Sequence, residues 1–218
     1  MAGLGLWNSH GRHDRPNIIY HAFAQGDSNF YTSLKPGLEE HYMSRVGKNQ
    51  DQFWVVMFLG KPKSRGEIRL HSGDPFDAPL IDPKYFSEKE DVNELVKGFK
   101  FILKLVEGTS AFRKYNATYH TTKFPGCEKY EWRSKKYFAC YIRHVGRTVF
   151  HPAGSCRMGE RGDKMAVVDS KLRVQGMLNL RVIDASVMPA IPNTNINAAV
   201  MMVAEKGADL ILESYLGP

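Results

Sequence analysis

The sequence predicts an α+β fold, and three observations carry that prediction. Strand-like runs of β-branched, aromatic and alternating residues occupy the first third of the chain. A regular three- and four-residue apolar repeat follows between residues 92 and 106. The chain then closes on a helix-like stretch, residues 196–212, that is apolar on nearly all sides.

Met1 to Pro16 is rich in Gly, His and Arg and reads as loop. Asn17 to Phe23 reads as a strand. Gln52 to Leu59 is a stronger one, dense in β-branched and aromatic residues and closed by Gly60. Pro62 and Arg65-Gly66 make a turn, after which Glu67 to Leu70 alternates polar and apolar as a half-buried strand does. Asp74-Pro75, Ala78-Pro79 and Asp82-Pro83 then predict an extended connection, because each proline biases its predecessor away from helix. Ser87-Glu88-Lys89-Glu90 has the form of a capping box. Val92, Leu95, Val96, Phe99, Ile102, Leu103 and Val106 form one helical stripe, ended by Gly108. A second helix is predicted over residues 131–145, with Phe138, Tyr141, Ile142 and Val145 on one face. Both stripes read as packing surfaces. Val167–Asp169, Leu172–Val174 and Leu180–Asp184 read as short strands separated by turns, one at Gln175-Gly176. A helix that is apolar all round is a buried helix, so residues 196–212 are expected in an interior.

Composition narrows the function classes. The 218 residues allow one large domain or pieces of two. With 43% hydrophobic and 24% charged residues, a wholly disordered chain is excluded. The net charge of +7 raises the question of an anionic partner. Lys61, Lys63 and Arg65 cluster, as do Lys129, Arg133, Lys135 and Lys136, but acidic residues flank both groups and no nucleic-acid motif accompanies them. They read as solvated faces, with no nucleic-acid partner. The strongly apolar stretch Ala198 to Ala204 is far short of the roughly 20 residues of a membrane span, and Met1 to Arg15 has no signal-peptide core. Cys127, Cys140 and Cys156 form no C-x-x-C pair and leave an odd one over, so neither a structural zinc site nor a disulfide framework is expected.

Three segments carry chemistry. His151 lies between Phe150 and Pro152 in a loop bracketed by Gly154 and Gly159. Proline and glycine there fix a sharp path and allow close approach, which suits an imidazole presented as a general base. Asp184-Ala185-Ser186 ends a predicted strand, where small residues let backbone N–H groups face a ligand. Asn193-Thr194-Asn195-Ile196-Asn197 precedes the final helix, which reads as a cap region and also as a helix N-terminus able to stabilise an anion. A hydrolase using Ser155 or Cys156 is disfavoured, because Gly154 to Met158 lacks the second glycine of a G-x-S-x-G elbow.

In order, HPAGSCRMG (151–159), VVDSKLRV (167–174), LRVIDASVMP (180–189) and NTNINAAVMMVAEKGADLI (193–211) resemble the closing section of the glucose-methanol-choline (GMC) family of flavin oxidoreductases. Upstream, KPKSRGEIRLHSGDPFDAPLIDPKYF (61–86) is similar to the sheet of that family's substrate domain, in its insect glucose-dehydrogenase-like branch. The resemblance implies an antiparallel sheet with flanking helices as a substrate-binding domain over 1–155. It implies that 156–218 form the C-terminal strands and buried helix of an FAD-binding domain whose N-terminal half lies outside these residues. It implies FAD as cofactor, hydride transfer to flavin N5 from the CH–OH group of a small alcohol or sugar, and quinone or oxygen as acceptor. An extracellular location is compatible with it. His151 falls on the family's catalytic base. The second catalytic position, ten residues before the helix glutamate Glu205, falls on Asn195. Asp184 and Ala185 match the segment bordering the ribityl–pyrophosphate region, and Asn197 the position whose backbone faces the flavin pyrimidine edge. Phe150 departs from a common Tyr or Trp, Ser155 from Thr, and Ala199 from Pro. The dinucleotide fingerprint G-x-G-x-x-G is absent, since Gly3-Leu4-Gly5-Leu6-Trp7-Asn8 lacks its third glycine and any preceding strand. Two expectations follow: part of an FAD-dependent dehydrogenase or oxidase, or a binding module that holds no flavin by itself.

Overall fold

The computed structural model describes residues 3–12, 14–24, 34, 36–43, 45–46 and 51–216. Gly3–Trp7 (β1), Ile18–Phe23 (β2) and Trp54–Leu59 (β3) form a three-stranded antiparallel sheet in that order. Tyr20 on the middle strand lies opposite Gly5 on one side and Met57 on the other. The opening stretch is thus not loop throughout. Gly5 is compatible with pairing because it lies against a large neighbour: a Cβ there would stand 3.5 Å from that of Tyr20.

Leu38–Met43 (α1) precedes β3, and Lys89–Gly108 (α2) packs on the sheet with the apolar stripe its spacing predicts. Trp7 stacks on Phe101 of α2, ring centroids 4.4 Å apart, and the Tyr20 hydroxyl donates to the Gly98 carbonyl at 3.0 Å. The expected capping box does not form. Glu88 is the N-cap, without a side-chain cap bond. Instead the buried Asp91 carboxylate accepts from the backbone N–H groups of Lys63 and Ser64, both at 2.8 Å, and from the Ser64 hydroxyl at 2.6 Å. Ser64 Oγ in turn accepts from Glu88 N–H. A carboxylate in the first turn complements the helix dipole, and here it ties the helix start to a segment distant in sequence.

Ser110–Arg113 (α3) and Lys135–Val145 (α4) follow. Helix α4 starts at Lys135 rather than at 131, because Ser134 caps it by accepting from Tyr137 N–H at 3.0 Å. Phe124, Tyr137 and Phe138 are fully buried with Val92, Leu95 and Val96 of α2. Against the expectation from cysteine spacing, Cys127 and Cys140 are joined in a disulfide, and Cys156 is free. Spacing alone could not report that the loop before α4 folds back on it and brings the two Cα atoms to 5.9 Å.

Glu67–Arg69 (β4) and Leu80–Asp82 (β5) pair antiparallel, Ile68 opposite Ile81, so the proline-rich connection contains a strand. The three strands expected between 167 and 184 reduce to isolated bridges, among them Val168 with Val174 and Arg173 with Arg181. Left-handed backbone at Leu172 (φ 60°) and Asn179 (φ 57°) breaks the extended path between them. Asn197–Leu216 (α5) is present, but it is not buried on all sides. It buries Val203, Gly207 and Leu210 against Val168, Leu172, Val187 and Met188. Among the described residues nothing covers Met201, Met202, Leu212 and Leu216, each more than half exposed. No described helix is long and apolar enough to cross a membrane.

The chain forms two compact units, one of residues 1–65 with 84–147, the other of 66–83 with 148–218. These units are defined by packing, whereas the expected boundary at 155/156 concerns which group each part binds.

Candidate active site

The loop carrying His151 is pinned by backbone bonds to the segment after residue 184. Gly154 N–H donates to the Ala185 carbonyl at 3.3 Å, Cys156 N–H to Ser186 at 2.9 Å, and Met158 N–H to Val187 at 2.8 Å. Gly154 is required twice over: its φ is +88°, and a Cβ there would stand 3.1 Å from the Met188 carbonyl oxygen. The anchoring segment is itself fixed. Ala185–Val187 is a 3-10 turn, and the Asp184 carboxylate caps it by accepting from Ser186 N–H at 2.7 Å. Asp184 and Ala185, expected at a cofactor, thus hold the His151 loop in place through a capping carboxylate and a carbonyl.

The two expected catalytic side chains meet. Asn195 Nδ2 lies 2.8 Å from His151 Nε2, across 44 residues of sequence. The other ring nitrogen, Nδ1, lies 3.1 Å from the Phe150 carbonyl oxygen. A carbonyl only accepts, so Nδ1 carries the proton, and Nε2 accepts from the Asn195 amide. The ring is therefore set as the Nδ1–H tautomer with its Nε2 lone pair turned to Asn195. Phe150 reaches this position with a left-handed backbone (φ 60°), a conformation that costs a bulky residue about 1–2 kcal/mol. Sequence reasoning missed this role of Phe150, and no composition or spacing signal marks it.

Asn195 does not cap α5. The Ile196 carbonyl accepts the first intrahelical bond, from Val200 N–H at 2.9 Å, which makes Ile196 the cap position. The Asn195 amide is spent on His151 instead. Asn197 is the first residue of α5 and is exposed. The first-turn N–H groups of a helix have no intrahelical acceptor and carry partial positive charge. That donor set, flanked by the amides of Asn195 and Asn197, suits the anionic edge of a conjugated ring. Among the described residues, the site therefore combines a histidine with one unprotonated ring nitrogen, an amide donor against it, and an adjacent helix N-terminus.

Residues 62–204 match the family described as GMC oxidoreductase. The chain is 42% identical over 170 residues to glucose dehydrogenase (FAD, quinone) of Drosophila pseudoobscura pseudoobscura, covering 78% of this chain and 27% of that one. It is 38% identical over 151 residues to alcohol dehydrogenase (acceptor) of Pseudomonas putida, covering 69% and 26%. A solved formate oxidase of Aspergillus oryzae, from work on its FAD modification, matches with a TM-score of 0.73 at 28% identity, covering 96% of this chain and 34% of that one. The chain thus spans about a quarter to a third of the length of these relatives.

Proposed function

Since the chain belongs to the GMC oxidoreductase family, we propose that it provides the base and part of the flavin-facing surface of an FAD-dependent oxidoreductase that oxidises the CH–OH group of a small alcohol or sugar. The observation that carries this reading is the 2.8 Å contact between Asn195 Nδ2 and His151 Nε2. It leaves one ring nitrogen unprotonated beside an amide donor, as removal of a hydroxyl proton requires.

FAD, when bound, would supply the acceptor for the hydride of the carbinol carbon, with a quinone or oxygen as the final electron acceptor. The substrate hydroxyl takes the place of the Asn195 amide at the single Nε2 lone pair, and His151 Nε2 takes the hydroxyl proton. Phe150 steadies the imidazolium so formed, since its carbonyl keeps accepting from Nδ1–H. Asn195 positions His151 before substrate enters and then donates an amide hydrogen to the substrate oxygen; its carboxamide is too weakly basic to share the base's work. Asn197 and the start of α5 would face the pyrimidine edge of the flavin, where the dipole favours negative charge. Asp184 and Ala185 would border the ribityl–pyrophosphate region. In this reading residues 1–155 serve the substrate and 156–218 the cofactor.

Two features favour a further statement: the isolated chain holds no flavin. Its 218 residues contain no G-x-G-x-x-G unit, and α5 leaves an apolar face uncovered among the described residues. In a flavin-loaded protein that contains these residues, His151→Ala should slow flavin reduction about 10²–10⁴-fold. An unchanged rate removes His151 from the role of base. Purified with excess FAD, the 218 residues alone should show no stoichiometric flavin absorbance. A stoichiometric spectrum that bleaches on adding an alcohol or sugar would overturn the statement about the isolated chain while leaving the assignment of His151 standing.

A further inference from the structure

The first unit contains a cluster with no part in the chemistry above. Cys140 and His144 lie four residues apart on α4 and so share a face. Cys127 reaches the same point from the preceding loop. His144 Nδ1 lies 3.8 Å from the sulfur of Cys127 and 3.8 Å from that of Cys140. The three ligand atoms fall within 4.8 Å of one another, from a buried, a half-buried and an exposed residue.

We propose that these residues form a zinc site in the dithiol state, so that the pair holds either a disulfide or Zn²⁺. The geometry is close to what the metal needs. Tetrahedral zinc with Zn–S near 2.3 Å and Zn–N near 2.0–2.1 Å places sulfur and nitrogen about 3.6 Å apart. Both sulfur–nitrogen spacings are already within a few tenths of an ångström of that value; the two sulfurs have to part, and the His144 ring has to turn Nδ1 from the Cys140 carbonyl toward the metal. Two thiolates and an imidazole are a soft donor set that selects zinc over magnesium or calcium. Three protein ligands leave a fourth position for water.

The conversion balances. An external dithiol reductant delivers two electrons and two protons to the S–S bond and leaves as its own disulfide. Zn²⁺ then displaces the two thiol protons. The imidazole proton, donated from Nδ1 to the Cys140 carbonyl at 2.9 Å in the disulfide form, shifts to Nε2. In either state the loop before α4 stays fastened to the helix. The spacing C-x₁₂-C-x₃-H matches no zinc signature, and for that reason the sequence points away from a metal here.

Co²⁺ is the probe, titrated into the 218-residue chain carrying Cys156→Ser, so that the remaining thiol contributes nothing. The dithiothreitol-reduced protein, freed of reductant, should develop thiolate-to-cobalt charge-transfer absorbance with tetrahedral d–d bands, and Zn²⁺ should bleach both. The oxidised protein should develop neither. His144→Ala leaves the disulfide intact, so its folding can be checked before reduction; it should weaken binding at least about tenfold, the lower end of what even an outer-shell change costs. Cobalt absorbance that is absent after reduction, present before it, or unchanged by His144→Ala overturns the proposal. If reduction alone melts α4, restoration of the far-ultraviolet spectrum by Zn²⁺ supports the site, and failure to restore it overturns it.

Discussion

At the scale of single residues, the tautomer of His151 decides what the site can do. The Phe150 carbonyl fixes the proton on Nδ1, and the Asn195 amide meets Nε2 as a donor. In a flavin-loaded protein that contains these residues, Asn195→Ala should therefore slow flavin reduction less than His151→Ala does. Asn195→Asp should slow it more than Asn195→Ala, although aspartate restores a hydrogen bond. A carboxylate only accepts, so it would hold a proton on Nε2 and fill the lone pair the substrate needs. Stopped-flow reduction of the three variants gives the order directly. A second histidine should contribute to acid sensitivity. His120 is half-buried beside Tyr42, whose hydroxyl lies 3.2 Å from its Nε2, and its withdrawal from water lowers its pKa from 6.5 to about 4. Unfolded chains bind the proton near pH 6.5 and the native state only near 4, so this contribution is complete above the first value. It is lost as pH falls toward the second, by an amount on the order of 3 kcal/mol. Urea denaturation of His120→Gln between pH 4.5 and 7 should show a flatter pH dependence than the parent. An identical slope would place the acid sensitivity elsewhere.

At the scale of elements, α5 shows what a sequence pattern can and cannot convey. Its existence was legible from an unbroken apolar run, and its start from the asparagine cluster. Which face is covered was not, because that depends on what packs there. Gly207 settles the matter for one face: a Cβ at that position would collide with Cγ2 of Ile183, the fixed methyl of a β-branched side chain. Gly207→Ala ordinarily gains about 1 kcal/mol in a helix. Here overpacking of about 1–3 kcal/mol opposes it, so the variant should be less stable in denaturant titration. A gain would show that Ile183 moves aside freely. Helix α2 was legible in the same way from Val92 to Val106, yet its anchor was not. Ser87 and Glu90 carry the form of a cap, while Asp91 does the fastening through Lys63 and Ser64. The strands between 167 and 184 failed for a local reason, since Leu172 and Asn179 adopt backbone that their residue types do not announce. The meeting of His151 and Asn195 was legible because ordered blocks of sequence single out both residues. The disulfide was not, because two isolated cysteines say nothing about approach.

At the scale of the whole molecule, the arrangement of units along the chain constrains how the protein can be divided. The hairpin of β4 and β5 belongs by packing with residues 148–218, but by connectivity it interrupts the other unit between Arg65 and Lys84. Three peptide links therefore join the units, after residues 65, 83 and 147. No single cleavage yields two intact pieces. A gene cut at 147/148 strands the hairpin on the wrong fragment, and a deletion of residues 66–83 leaves the first unit with two free ends that must be bridged. Any split form, domain graft or permuted variant of this protein has to move that insert together with the C-terminal segment, as one part with two addresses in the sequence.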